Sequence, residues 1–274
     1  MKLSVWSSYY VALSPEDAVL EFEKHGYNYC ELSDEHALVL MDRGDVTEVG
    51  KQFKVFADKH NVNFLQGHLI LRVKICERDQ LDLLKKQLDL FNAIGIKNAV
   101  LHCDSLERYG EVPLEEKLQK NIAALRELTD HIKDTDMVIC LENLREPSIT
   151  TSADDLLYFI DAIGSKNLGI CLDTGHLNLS KNPNQAEFIR KAAKHIKALH
   201  IADNEGKTDQ HMMPFGRGTV NIREVITEMK KIGYEGLYNL EIPGEGGRTP
   251  HEVKGFKLDY IKKVFDYLDR ETSI

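Results

Sequence analysis

An aspartate and a histidine two residues apart, Asp209 and His211, stand in TDQHMMPFGRG (208–218), a stretch with neither helical nor strand spacing. A single pair of this kind is most often a solvated loop, so its chemistry depends on what the rest of the chain brings beside it. Groups of the same two types close a series of short apolar runs. His68 ends NFLQGH, His102 follows NAVL, Glu142 ends MVICLE, Asp173 ends LGICLD with His176 just beyond, His200 ends KALH and Glu241 ends LYNLE. Carboxylates and imidazoles move protons near neutral pH and ligate divalent cations. Gathered in one place and buried, several carboxylates would repel and lose hydration at great cost. A divalent cation resolves both problems, and a mixed His/Asp/Glu set suits manganese, zinc, iron or cobalt better than calcium.

Convergence of that kind needs a scaffold. Eight apolar runs rich in β-branched residues alternate with eight segments of helical period, from KLSVWS and SPEDAVLEFEKHG at the start to GLYNLEI and HEVKGFKLDYIKKVFDYLDRE at the end. Near-continuous apolar strands are buried on both faces, and strict alternation with helices requires parallel pairing through crossovers. Eight such units predict a closed (β/α)8 TIM barrel spanning residues 1–274 as a single α/β domain, with the metal site at the C-terminal ends of the strands. Ser14 and Pro15 read as the cap and first residue of the first helix. The polar stretch after YNYCELS reads as a loop.

Side chains two apart share a strand face, so Cys140 lies beneath Glu142, Cys171 beneath Asp173 and Ala198 beneath His200. If the acids face the barrel axis, small residues fill the interior under them. His25, His60, His131 and His195 sit near helix C-termini, where an imidazole meets the negative end of the dipole without any catalytic role. Trp6 ends the first strand and offers an apolar wall for a bound ring, or a core contact. Arg217 offers a weak contact for a polar or anionic substrate group. GEGGR (244–248) has phosphate-like glycines but lacks the Lys-Ser/Thr of a nucleotide loop, and reads as a flexible loop.

The bulk numbers bound the class. The 274 residues are 42% hydrophobic and 29% charged, enough for a sizeable core,. No apolar run reaches the length of a membrane span, and MKLSVWSSYY lacks a signal-peptide core. A formal net charge of −9 provides no general cationic field for nucleic acid,. Five cysteines with no C-x-x-C pair fit a reduced, cytoplasmic protein,.

Taken in order, CLEN, CLDTGH, ALHIADN, the D-x-H loop running to G-x-G, and LEI resemble the xylose isomerase-like TIM barrel superfamily over essentially the whole chain. Within it they resemble the sugar-phosphate isomerase/epimerase branch related to endonuclease IV (AP endonuclease family 2). The resemblance implies a metal, manganese first with zinc, cobalt or iron as alternatives, on Glu142, Asp173, His200 and Glu241. It implies further that Glu142 and Glu241 act as acid and base beside a metal-polarised carbonyl. The positions of His68, His102, His176, Asp209 and His211 match further zinc ligands of endonuclease IV, so one to three ions are expected, or substrate contacts in their place. Pro214, Gly216 and Gly218 would then set the path of the D-x-H loop, the glycines permitting positive φ or close backbone approach. The implied activity is a metal-dependent sugar or sugar-phosphate isomerase or epimerase. Two alternatives stay open on the same ligands: an endonuclease IV-like zinc phosphodiesterase acting on abasic DNA, and a keto-sugar or inositol dehydratase. Against DNA, Glu31, Asp34 and Glu35 are expected to face the path of a phosphate backbone, with Arg72 the one nearby cation. A small sugar is the expected partner, with neither nucleic acid nor membrane, and an assembly of copies is left open.

Overall fold

The computed structural model describes residues 1–272. Eight strands form one parallel sheet: β1 (Lys2–Trp6), β2 (Tyr29–Leu32), β3 (Asn63–His68), β4 (Asn98–Leu101), β5 (Val138–Glu142), β6 (Leu168–Asp173), β7 (Ile196–His200) and β8 (Leu237–Leu240). Neighbours follow chain order, with β8 beside β1. The two remaining edges, β7 and β8, meet through the parallel bridge Ile201↔Leu240. There the Ile201 amide donates to the Asn239 carbonyl at 2.7 Å and the Glu241 amide to the Ile201 carbonyl at 3.2 Å. The sheet thus rolls into the expected (β/α)8 barrel.

The main helices lie outside it: Pro15–Lys24, Val46–Lys59, Arg78–Ile94, Leu114–His131, Ala153–Ile163, Gln185–Ala192, Ile222–Lys231 and His251–Glu271. Ser14 caps the first by accepting from the Asp17 amide, and Pro15 opens it, as the sequence predicts,. Aliphatic and aromatic side chains fill the layer between strands and helices. Inside the barrel a separate small cluster of Val100, Cys140, Cys171 and Ala198 is fully buried. These are the residues two before His102, Glu142, Asp173 and His200, so the expected floor of small side chains is present.

Two segments differ from the sequence expectation. The stretch after β2 is a helix, Asp34–Met41, because Ser33 caps it by accepting from the His36 amide and Ala37, Leu40 and Met41 bury one face. The glycine-rich segment after β8 makes a helical turn, Pro243–Gly246. Its Gly244 lies so close to the D-x-H loop that a Cβ there would sit 2.3 Å from the Gln210 carbonyl oxygen. Close backbone approach, rather than phosphate binding or flexibility, accounts for glycine at that point.

Candidate metal centre

Strand ends β5 to β8 bring Glu142, Asp173, His200 and Glu241 together, with one ligand-type atom from each within 4.8 Å of the others. All four are buried. On each of them one inward polar atom has no aligned hydrogen-bond partner: Glu142 Oε1, Asp173 Oδ2, His200 Nδ1 and Glu241 Oε2. The His200 Nδ1 atom stands 3.3 Å from Glu142 Oε2 and 3.1 Å from Glu241 Oε2. His176 Nδ1 is 3.0 Å from Glu142 Oε1, but its hydrogen bond is directed to the Asn143 carbonyl. Four buried atoms of ligating type gathered within 4.8 Å of one another make a donor set that fits a divalent cation of the manganese, iron, cobalt or zinc type,.

Local structure fixes each donor. Asp173 caps the helix Thr174–Asn178 through Oδ1, which accepts from the His176 amide, leaving Oδ2 to face the centre. Asn143 clamps β5 to β6, its Nδ2 donating to the Asp173 carbonyl at 2.9 Å while its Oδ1 accepts from the Asp173 amide at 2.8 Å. Asn204 ties β7 to the same helix by donating to the Gly175 carbonyl at 2.8 Å. These contacts explain the asparagines of CLEN and ADN. His200 is held from the other side by Glu31, whose Oε1 lies 3.0 Å from His200 Nε2.

A second trio, His176, Asp209 and His211, also comes within ligating reach of one point. Asp209 bridges it, with Oδ2 3.1 Å from His176 Nε2 and Oδ1 3.1 Å from His211 Nε2. His211 Nδ1 donates to the Glu241 carbonyl at 3.0 Å, which draws the loop over the mouth. His68 and His102 approach Glu142 Oε2 at 3.4 and 3.0 Å, and His68, Glu142 and His200 form a further ligand-type group. All nine expected ligand positions therefore meet at one end of the barrel.

The electrostatics follow from this crowding. Burial pushes Glu142 and Glu241 up, but His200 beside both, with His102 at Glu142 and His211 at Glu241, pulls each carboxyl well below the usual range. Asp173 goes the other way: burial, opposed by His176 and reinforced by Glu142 and Glu241, raises it to about 7. Burial lowers His200 and His176, yet the surrounding carboxylates outweigh it and raise both well above the ordinary imidazole value. His211 rises to about 10, burial being overcome by Glu241, Asp209 and Asp173. In the metal-free protein, protonated imidazoles thus supply the positive charge that the carboxylates require.

The loop path departs from expectation. Positive φ falls on His211 (45°) and Phe215 (62°), not on Gly216 or Gly218. Gly218 serves close approach instead, since a Cβ there would lie 2.0 Å from the Asp203 carboxylate. Glu31, expected to face an incoming phosphate backbone, points into the barrel and is 0% exposed. Asp34 is also tied inward, accepting from the Leu71 amide, and Glu35 accepts from the Ser8 hydroxyl. These acids therefore give no argument against DNA. Trp6 is buried, with its ring 6.2 Å from that of His68. The Arg217 side chain is 76% exposed, and Glu205 lies 3.9 Å away. A cavity of about 530 Å³ opens beside the centre, where Arg72, Arg108 and Arg145 stand with His102, His176 and Asp209. Nothing in the spacing of Arg145 distinguishes it in the sequence from a solvated loop residue.

The family model described as xylose isomerase-like TIM barrel matches residues 19–264. The chain is 31% identical over 152 residues to a D-psicose 3-epimerase of Enterocloster bolteae, covering 54% of this chain and 48% of that protein. It is 28% identical over 139 residues to a probable endonuclease 4 of Mycoplasmopsis synoviae, covering 47% of this chain and 48% of that protein. The chain thus spans about half the length of these curated relatives. Among solved structures, a D-psicose 3-epimerase from Clostridium cellulolyticum H10 with D-tagatose superposes with a TM-score of 0.82 at 15% identity, over 98% of this chain and 99% of that one. At that identity the likeness speaks for the fold alone. Among the described residues, no helix is long and apolar enough to cross a membrane.

Proposed function

This chain belongs to the xylose isomerase-like TIM barrel family, and on that premise we propose that it is a divalent-metal-dependent sugar epimerase or isomerase. The observation that carries the reading is the set of four buried, inward atoms without an aligned hydrogen bond on Glu142, Asp173, His200 and Glu241. Those four residues would hold the ion, manganese in the first instance, with iron, cobalt or zinc as the other candidates. A cation bound there supplies Lewis-acid polarisation of a substrate carbonyl and the neighbouring hydroxyl. Glu142 and Glu241 are the proposed acid and base. They stand on β5 and β8, separated by two strands around the mouth, so they reach a sugar carbon from different sides. Both are held ionised by neighbouring imidazoles, and a carboxylate that is ionised and desolvated can accept a proton from carbon and return it. Trp6 and the cavity beside His102 and His176 would shelter the sugar from water. A single domain in a reducing, cytoplasmic setting fits the five free cysteines.

The test is a panel of ketoses and aldoses incubated with the manganese-loaded protein in heavy water. Epimerised product carrying deuterium at the carbon beside the carbonyl supports the reading. Loss of water from the sugar would instead indicate a dehydratase on the same centre. The His176–Asp209–His211 trio favours a second reading, a zinc phosphodiesterase, because epimerisation requires no such additional ligands. Cleavage of abasic DNA by the zinc-loaded protein, with every sugar returned unchanged, would decide for it.

A further inference from the structure

Five rim histidines approach the acidic side chains, and four of them, His68, His176, His200 and His211, have both ring nitrogens engaged in one of two ways. His68, His176 and His211 each donate Nδ1–H to a backbone carbonyl, those of Leu69, Asn143 and Glu241, and turn Nε2 to a carboxylate, Glu142 for His68 and Asp209 for the other two. His200 is reversed: Nδ1 faces the centre and Nε2 faces a carboxylate, Glu31 Oε1, at 3.0 Å. Glu31 lies on β2 and crosses the barrel interior to reach β7. Its other oxygen, Oε2, accepts from Asn239 Nδ2 on β8, and Asn239 Oδ1 accepts from the Ser4 hydroxyl on β1 at 2.7 Å. All four residues of this relay are 0% exposed.

We infer that Glu31 is a positioning residue for the metal centre, fixing the His200 tautomer with the proton on Nε2 so that the Nδ1 lone pair is aimed at the cation. The inference rests on the reading of Glu142, Asp173, His200 and Glu241 as a metal site. A carboxylate at this depth is tolerable only when paired, and among the described residues its ion-pair partner is the imidazole of His200. A cation on the far side of that ring draws electron density through it, which strengthens the Nε2–H···Oε1 contact. Reciprocally, the carboxylate raises the basicity of Nδ1. An outer partner that orients a ligating imidazole and raises its basicity is worth about 10–100-fold in metal affinity. Asn239 and Ser4 hold the second oxygen, so the carboxylate cannot rotate away from His200.

The test is calorimetric titration of Mn2+ into the wild-type chain and Glu31→Gln, with the melting temperature of each metal-free protein recorded alongside. Glutamine keeps the volume, and turning the Asn239 amide over restores its hydrogen bonds, so the variant removes the charge and little else. The expected result is an affinity loss of about tenfold, with the metal-free melting temperature changed by no more than a few degrees. Affinity equal to wild type overturns the inference while leaving the metal site standing. A wild-type chain that binds no divalent metal overturns both. Should Glu31→Gln fail to fold, nitrogen–proton NMR of the zinc-loaded wild type decides the matter. His200 protonated at Nε2 and metallated at Nδ1 supports the inference, and the opposite tautomer overturns it.

Discussion

At the scale of single residues, proton transfer is proposed for Glu142 and Glu241, and ligation for both together with Asp173 and His200. Replacing either glutamate by glutamine keeps its volume but removes an anionic ligand and a base. Turnover of the responsive sugar is therefore expected to fall by about 10²–10⁴-fold in each variant, measured at saturating manganese so that lost affinity does not mask the chemical step. The protonation pattern makes a separate prediction for the metal-free protein. Asp173, raised to about 7, and His211, raised to about 10, both exceed their ordinary values of 3.8 and 6.5. A group raised on folding contributes stability that is complete below its unfolded value and is lost as pH climbs through its folded one. The Asp173 contribution is therefore lost between pH 3.8 and about 7 and the His211 contribution between pH 6.5 and about 10, so the metal-free melting temperature should decline through the second window as well as the first,. Because a cation must displace protons from these imidazoles, metal binding at pH 7 should release protons. Titrations in buffers of different ionisation enthalpy would show the release, and a binding heat independent of buffer would contradict it. Every residue of the proposed ligand set was legible in the sequence, because acids and histidines that close apolar strands are conspicuous. The role of Glu31 was not. It was visible as an acid inside YCEL, but only the closed barrel shows that its side chain crosses to His200.

At the scale of elements, strand parity carried the argument. The small residues two before each ligand became the buried floor of Val100, Cys140, Cys171 and Ala198. Connecting segments were less legible, since their conformation depends on contacts with distant parts of the chain. The helix Asp34–Met41 depends on a Ser33 cap and on burial against its surroundings. In the D-x-H loop, positive φ fell on His211 and Phe215. Gly218 matters there for a different reason: the Asp203 carboxylate, which accepts from the Asn204 amide at 2.8 Å and the Val220 amide at 2.9 Å, occupies the space a side chain would need. Gly218→Ala should displace that carboxylate and loosen the loop, at a cost of about 1–3 kcal/mol by the usual penalty of overpacking. Urea denaturation would measure it. An unchanged midpoint would mean that the loop accommodates the methyl group without strain.

For the whole molecule, eight strand–helix repeats fixed the architecture, and closure through Ile201 and Leu240 completes it. Closure also ties structure to function, because it sets β5 to β8 around a mouth where three buried carboxylates and an imidazole must share one charge problem. On the proposed reading a cation solves that problem, so its removal should be felt globally. Chelation is expected to lower the melting temperature, since a ligand at 100-fold over its Kd adds about 2.7 kcal/mol of stability. The most direct test of the central claim is elemental mass spectrometry on protein purified without chelator and equilibrated with manganese, with Asp173→Asn prepared in parallel. The account predicts about one tightly held transition-metal ion per wild-type chain, and much less in the variant. No metal in the wild type, or equal metal in both, would contradict it.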